Sequence, residues 1–286
     1  MKKLLLQVDT DPVVSTFDTI AAYDSDVDVV IPYGGITPAT VKEIATGAIF
    51  SRGGEGWKHT GIFIGGHDVA QGEAVLAEVK KSFFGPFRVS LLLDSNGCNT
   101  TAAAAVAKIA KALPLAGQRV VVTGTGPVGT RVAALLAGEG ARVTMTTVRE
   151  DWLQTGLAQV RARTEADVQG AIVPNMDVAA WQKTLHGAVV LFGATAAGIQ
   201  VVPKAAWEAA DSLKILADVN LVPPAGIEGV ENADNLTERG GKLFLGPIGV
   251  GNFKMKVQRA VVQALFEENT RVLDAKEVYE VARRLL

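Results

Sequence analysis

The sequence predicts a two-domain α/β fold, one domain built on an open parallel sheet and the other a smaller α/β unit, with a cleft between them. Three observations carry this. First, Val120 to Thr123 is a short β-branched run of the kind that fills a buried strand, and it leads straight into Gly124-Thr125-Gly126-Pro127-Val128-Gly129. Thr130 to Glu139 then has helical composition and period, and Ala141 to Thr147 reads as a second strand. Strand, glycine turn, helix and strand in that order make a dinucleotide-binding domain of the Rossmann type. Gly124 permits the tight turn, Gly126 lets backbone approach a pyrophosphate, and Gly129 lets helix pack on strand. Thr125, Pro127 and Val128 complete the cradle, where free N–H groups at the helix start face phosphates. Second, strand and helix signals alternate along the chain, which argues for parallel sheets with right-handed crossovers. Third, 286 residues suffice for one large or two ordinary domains with real cores.

In order, Lys3 to Val8 reads as a strand ending in Asp9-Thr10-Asp11, and Ser15 to Tyr23 as a helix. Val27 to Pro32 is a strand, and Thr37-Pro38 starts a helix that Gly47 ends. Thr60 to Ile64 is a strand running into Gly65-Gly66; Asp68 caps an amphipathic helix with Val69, Leu76, Val79 and Phe83 on its apolar face. Phe87 to Leu93 is a strand, and Asn99 or Thr100 caps an alanine-rich helix to about Leu113. Beyond the glycine turn and its second strand, Asp151 to Arg163 is helical, Ala171 to Pro174 a strand, and Val178 to Leu185 a helix. Ala188 to Phe192, Lys214 to Val219 and Leu243 to Leu245 are strands, Phe253 to Glu268 is a helix, and Asp274 caps a last helix through Leu286. The first domain thus spans 1–112, completed by the C-terminal helices in 252–286, and the Rossmann domain spans 113–251.

Composition narrows the function. Hydrophobic content of 48% against 20% charged residues is a globular balance. A formal net charge of −2 makes no electrostatic case for nucleic acid or an anionic membrane. Cys98, the single cysteine, excludes an intramolecular disulfide and a cysteine-rich zinc site; it suits a reducing cytosol, so a cytoplasmic location is expected. Leu4-Leu5-Leu6 is too short an apolar core for a signal peptide, and Ala188 to Pro203, broken by glycines, Thr195 and Gln200, falls short of a membrane span. His59, His67 and His186 show neither metal-ligand spacing nor a partner pattern, so neither a metal nor a catalytic histidine is expected.

The candidate site residues lie at strand ends. After the second Rossmann strand an acid selects NAD; here stand Thr146, Thr147 and Arg149, followed by Glu150 and Asp151. An arginine beside hydroxyls suits a 2′-phosphate and therefore NADP, the plain alternative being a solvated loop charge. Ala194 and Thr195 after Gly193, Asn220, and the run Gly246 to Gly251 fall at the carboxyl edge where parallel sheets bind ligands, leaving room for the nicotinamide. Asp9, Asp11 and Asp94 each follow a first-domain strand, as substrate-facing carboxylates or as helix caps. Lys254 and Lys256 open the long late helix on different sides, and Lys256 is expected to turn inward.

Particular strings take the reading further. Leu6-Gln7-Val8-Asp9-Thr10-Asp11, Phe84-Gly85-Pro86-Phe87-Arg88-Val89-Ser90, Asp94-Ser95-Asn96-Gly97-Cys98-Asn99-Thr100-Thr101, the glycine turn, Asp218-Val219-Asn220-Leu221-Val222-Pro223-Pro224 and Ile248-Gly249-Val250-Gly251 together resemble bacterial methylene-tetrahydromethanopterin dehydrogenase, nearly end to end. The resemblance implies reversible hydride transfer between the methylene bridge of a reduced pterin carrier and NADP, in a cytoplasmic homo-oligomer, with methylene-tetrahydrofolate accepted by some members. It implies that Asp9, Asp11 and Asp94 shape the field around the forming cation or hold pterin nitrogens, and that Lys256 hydrogen-bonds a pterin carbonyl. The two nitrogens flanking the reacting carbon stabilise the cation themselves, so positioning is the protein's main task. One departure stands out: where the family often carries a Gly-Arg-Lys-like run, this chain has Thr147-Val148-Arg149-Glu150-Asp151, which leaves dual use of NADP and NAD open. The rival readings are a bifunctional folate dehydrogenase–cyclohydrolase and an NADP-sensing binding protein without turnover.

Overall fold

The computed structural model describes residues 1–286 and divides into two compact units, one of residues 1–100 with 255–285 and the other of residues 101–254 with Leu286. The chain opens with β1 (Leu4–Asp9), α1 (Thr16–Tyr23), β2 (Val29–Tyr33), α2 (Val41–Phe50), β3 (Thr60–Gly65), α3 (Val69–Lys81) and β4 (Ser90–Leu93). It continues through α4 (Cys98–Ala112), β5 (Arg119–Thr123), α5 (Pro127–Gly138), β6 (Arg142–Thr147), α6 (Glu150–Arg161), β7 (Gln169–Ile172), α7 (Val178–Leu185) and β8 (Ala188–Gly193). The remainder is α8 (Lys204–Glu208), β9 (Ile215–Asp218), β10 (Asn235–Arg239), β11 (Lys242–Leu245), α9 (Pro247–Ala264), β12 (Val272–Leu273) and α10 (Ala275–Arg284).

The first unit holds a five-stranded sheet in the order β12-β4-β3-β1-β2, parallel throughout. β3 and β4 are buried along their whole length, which is why their sequences are continuous apolar runs without alternation. Val8, Ile62, Ile64, Leu91 and Leu93 meet Val41, Ala45, Val75 and Val79 of the covering helices in one core. The second unit holds a seven-stranded sheet, β10-β11-β9-β8-β5-β6-β7, in which only the β10–β11 pair is antiparallel. One core cluster of this unit packs Val121, Leu191, Leu216 and Phe244 against Trp181, Leu185 and Trp207. Both sheets reverse direction of winding beside their first strand, β1 in one unit and β5 in the other. That reversal opens the crevice where parallel α/β sheets take ligands.

Several elements differ from the sequence reading. The helix expected from Thr37 begins at Val41, because residues 37–40 close a turn in which the Thr37 N–H donates to Thr40 Oγ1 at 3.0 Å. It then runs through Gly47 to Phe50, since Ala48 and Ile49 have a core to enter. The strand expected from Phe87 starts at Ser90, after a tight turn closed by Phe87 N–H to the Phe84 carbonyl at 2.9 Å. The largest change is at α9, which starts at Pro247 rather than Phe253, so Gly249 and Gly251 are helical rather than loop. Gly249 is small for a packing reason: a β carbon there would overlap the Asp234 carbonyl oxygen. β10 and α8 have five residues each and β12 two, too few to carry a periodic signal. No helix is long and apolar enough to cross a membrane.

Candidate functional site

The glycine turn lies at the switch point of the seven-stranded sheet, between β5 and β8. Gly124 has φ +103°, and a β carbon there would overlap the Ala194 carbonyl oxygen from the β8 loop. Gly129 faces inward on the first turn of α5, where a β carbon would overlap the Gly124 carbonyl oxygen. Gly126 is different. A β carbon there would meet nothing within 4 Å, so it is exposed backbone at the mouth of the helix, and Pro127 follows as the first helical residue. Two glycines thus close the turn and the third keeps its rim open, which fits a pyrophosphate held by the N–H groups of Thr125, Val128 and Gly129. Arg131, fully buried on α5, donates Nη1 to the Pro127 carbonyl at 3.1 Å and secures the same turn.

The other cofactor candidates line the neighbouring strand ends. The Ala194 N–H donates to the Thr123 carbonyl at 2.8 Å, and Thr195 Oγ1 to the Ile199 carbonyl at 3.3 Å. Asn220 donates Nδ2 to the Ala196 carbonyl at 3.2 Å and accepts from Val222 N–H at 3.1 Å, so it ties the β8 loop to the β9 loop. Beneath them is a residue the sequence reading passed over. Asp218, fully buried, accepts from Asn220 N–H at 2.7 Å with one oxygen and from Ile227 N–H at 2.7 Å with the other. Burial pushes its carboxyl up to about 6, although backbone N–H groups oppose the shift. Its strand-end Asp-x-Asn string was visible, but only the tertiary fold shows that backbone from two segments, at Asn220 and at Ile227, converges on it.

At the end of β6, Thr147 is half-buried, its carbonyl taken by Val173 N–H at 2.9 Å. Arg149 is exposed and already engaged: Nε and Nη2 grip Asp151 Oδ1 and Oδ2 at 2.9 and 2.6 Å, and the guanidinium lies 4.8 Å from the Trp152 ring centroid. The fork holds the Asp151 carboxyl below the usual carboxylate range. A 2′-phosphate reaching Arg149 meets this competing acid.

In the first unit the three aspartates gather at one sheet edge and divide into two kinds. Asp9 is buried, its oxygens accepting from Asp11 N–H at 2.9 Å and Ser15 N–H at 3.0 Å. Asp94 is buried as well, accepting from Asn99 N–H, Thr100 N–H and Thr100 Oγ1 at 2.9, 3.0 and 2.6 Å. It, rather than Asn99 or Thr100, terminates the N-terminal end of α4. Asp11 faces outward and pairs with His67 through both the ring Nδ1 and the backbone N–H, the latter at 3.1 Å. His67 shows no partner pattern in residue order, because Asp11 lies 56 positions away. The pair draws the histidine pKa up and the Asp11 carboxyl down.

Lys256 does not turn inward. Val250, Phe253, Val257 and Val261 form a buried stripe of α9; at about 100° per residue Lys254 falls beside it and Lys256 outside it. Lys254 is accordingly half-buried and Lys256 exposed.

Comparisons with known proteins agree along the chain. A family model described as the N-terminal domain of methylene-tetrahydromethanopterin dehydrogenase matches residues 16–96, and one described as putative NAD(P)-binding matches residues 112–226. The chain is 45% identical over 287 aligned positions, 99% of each chain, to the bifunctional protein MdtA of Methylorubrum extorquens. It is 32% identical to the NAD(P)-dependent methylenetetrahydromethanopterin dehydrogenase of the same organism, covering 94% of this chain and 93% of that one. Among solved structures, ligand-free 5-ketofructose reductase of Gluconobacter aligns over 100% of this chain and 99% of its own, with TM-score 0.57 and 16% identity. Shikimate 5-dehydrogenase of Thermus thermophilus, in complex with NADP(H) and shikimate, aligns over 100% of both chains with TM-score 0.50 and 15% identity. At these identities the structural likeness speaks for the fold.

Proposed function

The chain belongs to the methylene-tetrahydromethanopterin dehydrogenase family, and on that premise we propose that it oxidises methylene-tetrahydromethanopterin to the methenyl form with NADP, NAD being a second acceptor. The observation that carries this reading is the 45% identity over 99% of the chain, since an activity that draws on both units needs both to match. When bound, the nicotinamide accepts the hydride. The protein's own residues supply the rest. The turn from Gly124 to Gly129 holds the pyrophosphate, with Thr125, Pro127 and Val128 forming its rim. Thr147 and Arg149 stand at the adenosine ribose, and Ala194, Thr195 and Asn220 line the nicotinamide end. Asp9 and Asp94 keep the substrate-side loops in shape and add negative field, while Asp11 meets the pterin. Lys256, exposed on α9, is free to hydrogen-bond a pterin carbonyl without repacking a core. No group here needs to act as a strong base, because the carbon that loses hydride lies between two nitrogens that share the positive charge.

The same reading places the enzyme in the cytoplasm as a homo-oligomer. Its lone cysteine, Cys98, is buried and calls for no oxidising compartment.

The test is spectrophotometric: NADPH formation by the purified protein from methylene-tetrahydromethanopterin and from methylene-tetrahydrofolate, each with NADP and with NAD. Turnover of the methanopterin carrier with NADP is the expected result. Turnover of the folate carrier alone keeps the chemistry and moves the substrate. NADP binding with no oxidation of either carrier overturns the reading and leaves a nucleotide-sensing protein.

A further inference from the structure

The first unit has its own switch point, separate from the glycine turn. The chain leaves β1 for β2 on one side and returns to β3 on the other, so the loops after β1 and β3 part between those strands. The residues that stand there are Asp11 from the first loop and His67 from the second.

These loops are preformed. Thr10 Oγ1 donates to the Gly65 carbonyl at 3.3 Å, and Asn96 N–H from the β4 loop donates to the Gly66 carbonyl at 2.7 Å. The β2 loop is tied in by Gly35 N–H to the Asp11 carbonyl at 2.7 Å and Ile36 N–H to the Asp9 carbonyl at 3.0 Å. Gly66, at φ +98°, has no room for a β carbon beside Thr10 Oγ1, so glycine is what lets the β3 loop close against the β1 loop beneath His67. His67 is therefore presented on a fixed platform, with its backbone N–H and Nδ1 both committed to Asp11 Oδ2. Its side chain is nonetheless 85% exposed, which leaves Nε2 as the ring nitrogen that faces outward. A histidine held so firmly from behind and covered by nothing in front is oriented for a partner that is not part of the chain.

We propose that His67, oriented by Asp11 at the switch point between β1 and β3, contacts the substrate by donating a hydrogen bond from Nε2 to an acceptor oxygen of the reduced pterin carrier. Asp11 accepts the Nδ1 proton and, with Asp9 behind it, favours the charged imidazolium, in which Nε2 also carries a proton and is a strengthened donor. Asp68, the N-cap of α3, is the remaining charged neighbour in sequence, and its side chain is engaged by Gln71 N–H at 2.9 Å. The inference rests on the dehydrogenase reading and adds a residue to its substrate side. Two kinds of oxygen offer the right chemistry, the ring carbonyl common to all pterin carriers and an anionic group in the carrier's tail.

The experiment measures steady-state kinetics of wild type, His67→Ala and His67→Gln with both carriers, together with the KM for NADP. The expected result is that His67→Ala raises the carrier KM by about tenfold or more, the loss of one charge-assisted hydrogen bond, while the NADP KM stays within about twofold. His67→Gln retains an N–H near the Nε2 position and recovers most of the loss. An equal rise for both carriers assigns the ring oxygen, and a rise for one assigns its tail; either supports the contact. A carrier KM unchanged in His67→Ala, with wild type active, overturns the contact and leaves the dehydrogenase reading standing. A wild-type protein that oxidises neither carrier overturns both.

Discussion

Arg149, proposed to stand at the adenosine ribose, shows how a residue's surroundings bear on the role it can take. A guanidinium presents a planar fork that matches a phosphate, but here Asp151 already fills it and Trp152 lies beneath it. The acid competes for the fork and repels the 2′-phosphate, and bare NAD suffers neither penalty. Asp151→Asn is therefore expected to lower the KM for NADP by about threefold to tenfold while moving that for NAD by less than about twofold, read from paired saturation curves. Asp218 acts in the opposite direction, through burial. With one oxygen on Asn220 N–H and the other on Ile227 N–H, replacement by Asn turns an N–H₂ toward a backbone N–H. Such a mismatch is expected to cost about 1–3 kcal/mol of stability in urea unfolding and to raise the NADP KM as the Asn220 loop loosens. The sign of the pH dependence follows from the raised folded-state pKa. The wild-type carboxyl binds its proton more tightly folded than unfolded, so its contribution is fully present below about pH 4 and is lost as pH rises through about 6. Asp218→Asn is expected to remove that part of the slope, checked by unfolding at a series of pH values.

At the scale of elements, the strand–turn–helix from β5 to α5 separates glycines that fold from the glycine that binds. Gly129→Ala drives a β carbon into the Gly124 carbonyl oxygen, a rigid neighbour, and is expected to destabilise by about 1–3 kcal/mol as well as weaken NADP binding. Gly126→Ala meets open space, so its stability change should stay within about 1 kcal/mol, set by the weaker N-cap, while the NADP KM rises because the methyl occupies the phosphate's approach. Equal effects of the two changes on both measurements would contradict this division. Helix α9 offers a second case. Lys256 lies on its solvent side, so Lys256→Ala is expected to leave folding and the NADP KM near wild type and to weaken pterin turnover. An unchanged rate and carrier KM removes Lys256 from the site. Lys254, beside the buried stripe, is the residue whose loss is expected to register in stability instead. The earlier start of α9 was hidden because glycines at 249 and 251 normally signal loop; the packing of Gly249 against Asp234 outweighs that preference.

For the molecule as a whole, one unit is built on a parallel sheet and the other on a sheet parallel but for its β10–β11 edge, and each reverses its winding beside its first strand. Much of this is legible in residue order. Continuous apolar runs such as Ile62 to Ile64 and Val120 to Val122 identify strands buried on both faces, and the glycine turn set between a strand and a helix specifies a dinucleotide-binding unit. The longer strings, above all Asp94 to Thr101, carried the family. These features are local, and local features are written in consecutive residues. The tertiary structure alone decided the pairings across long stretches of chain: Asp11 with His67, Asp218 with Ile227, and Asn99 with Asp274. It also decided which acid faces outward. Asp9, Asp11 and Asp94 look alike as strand-end carboxylates, yet two are consumed by backbone N–H groups of their own loops and one faces outward. A carboxylate's role depends on the donors that converge on it, and convergence is a property of folded loops that residue order does not encode.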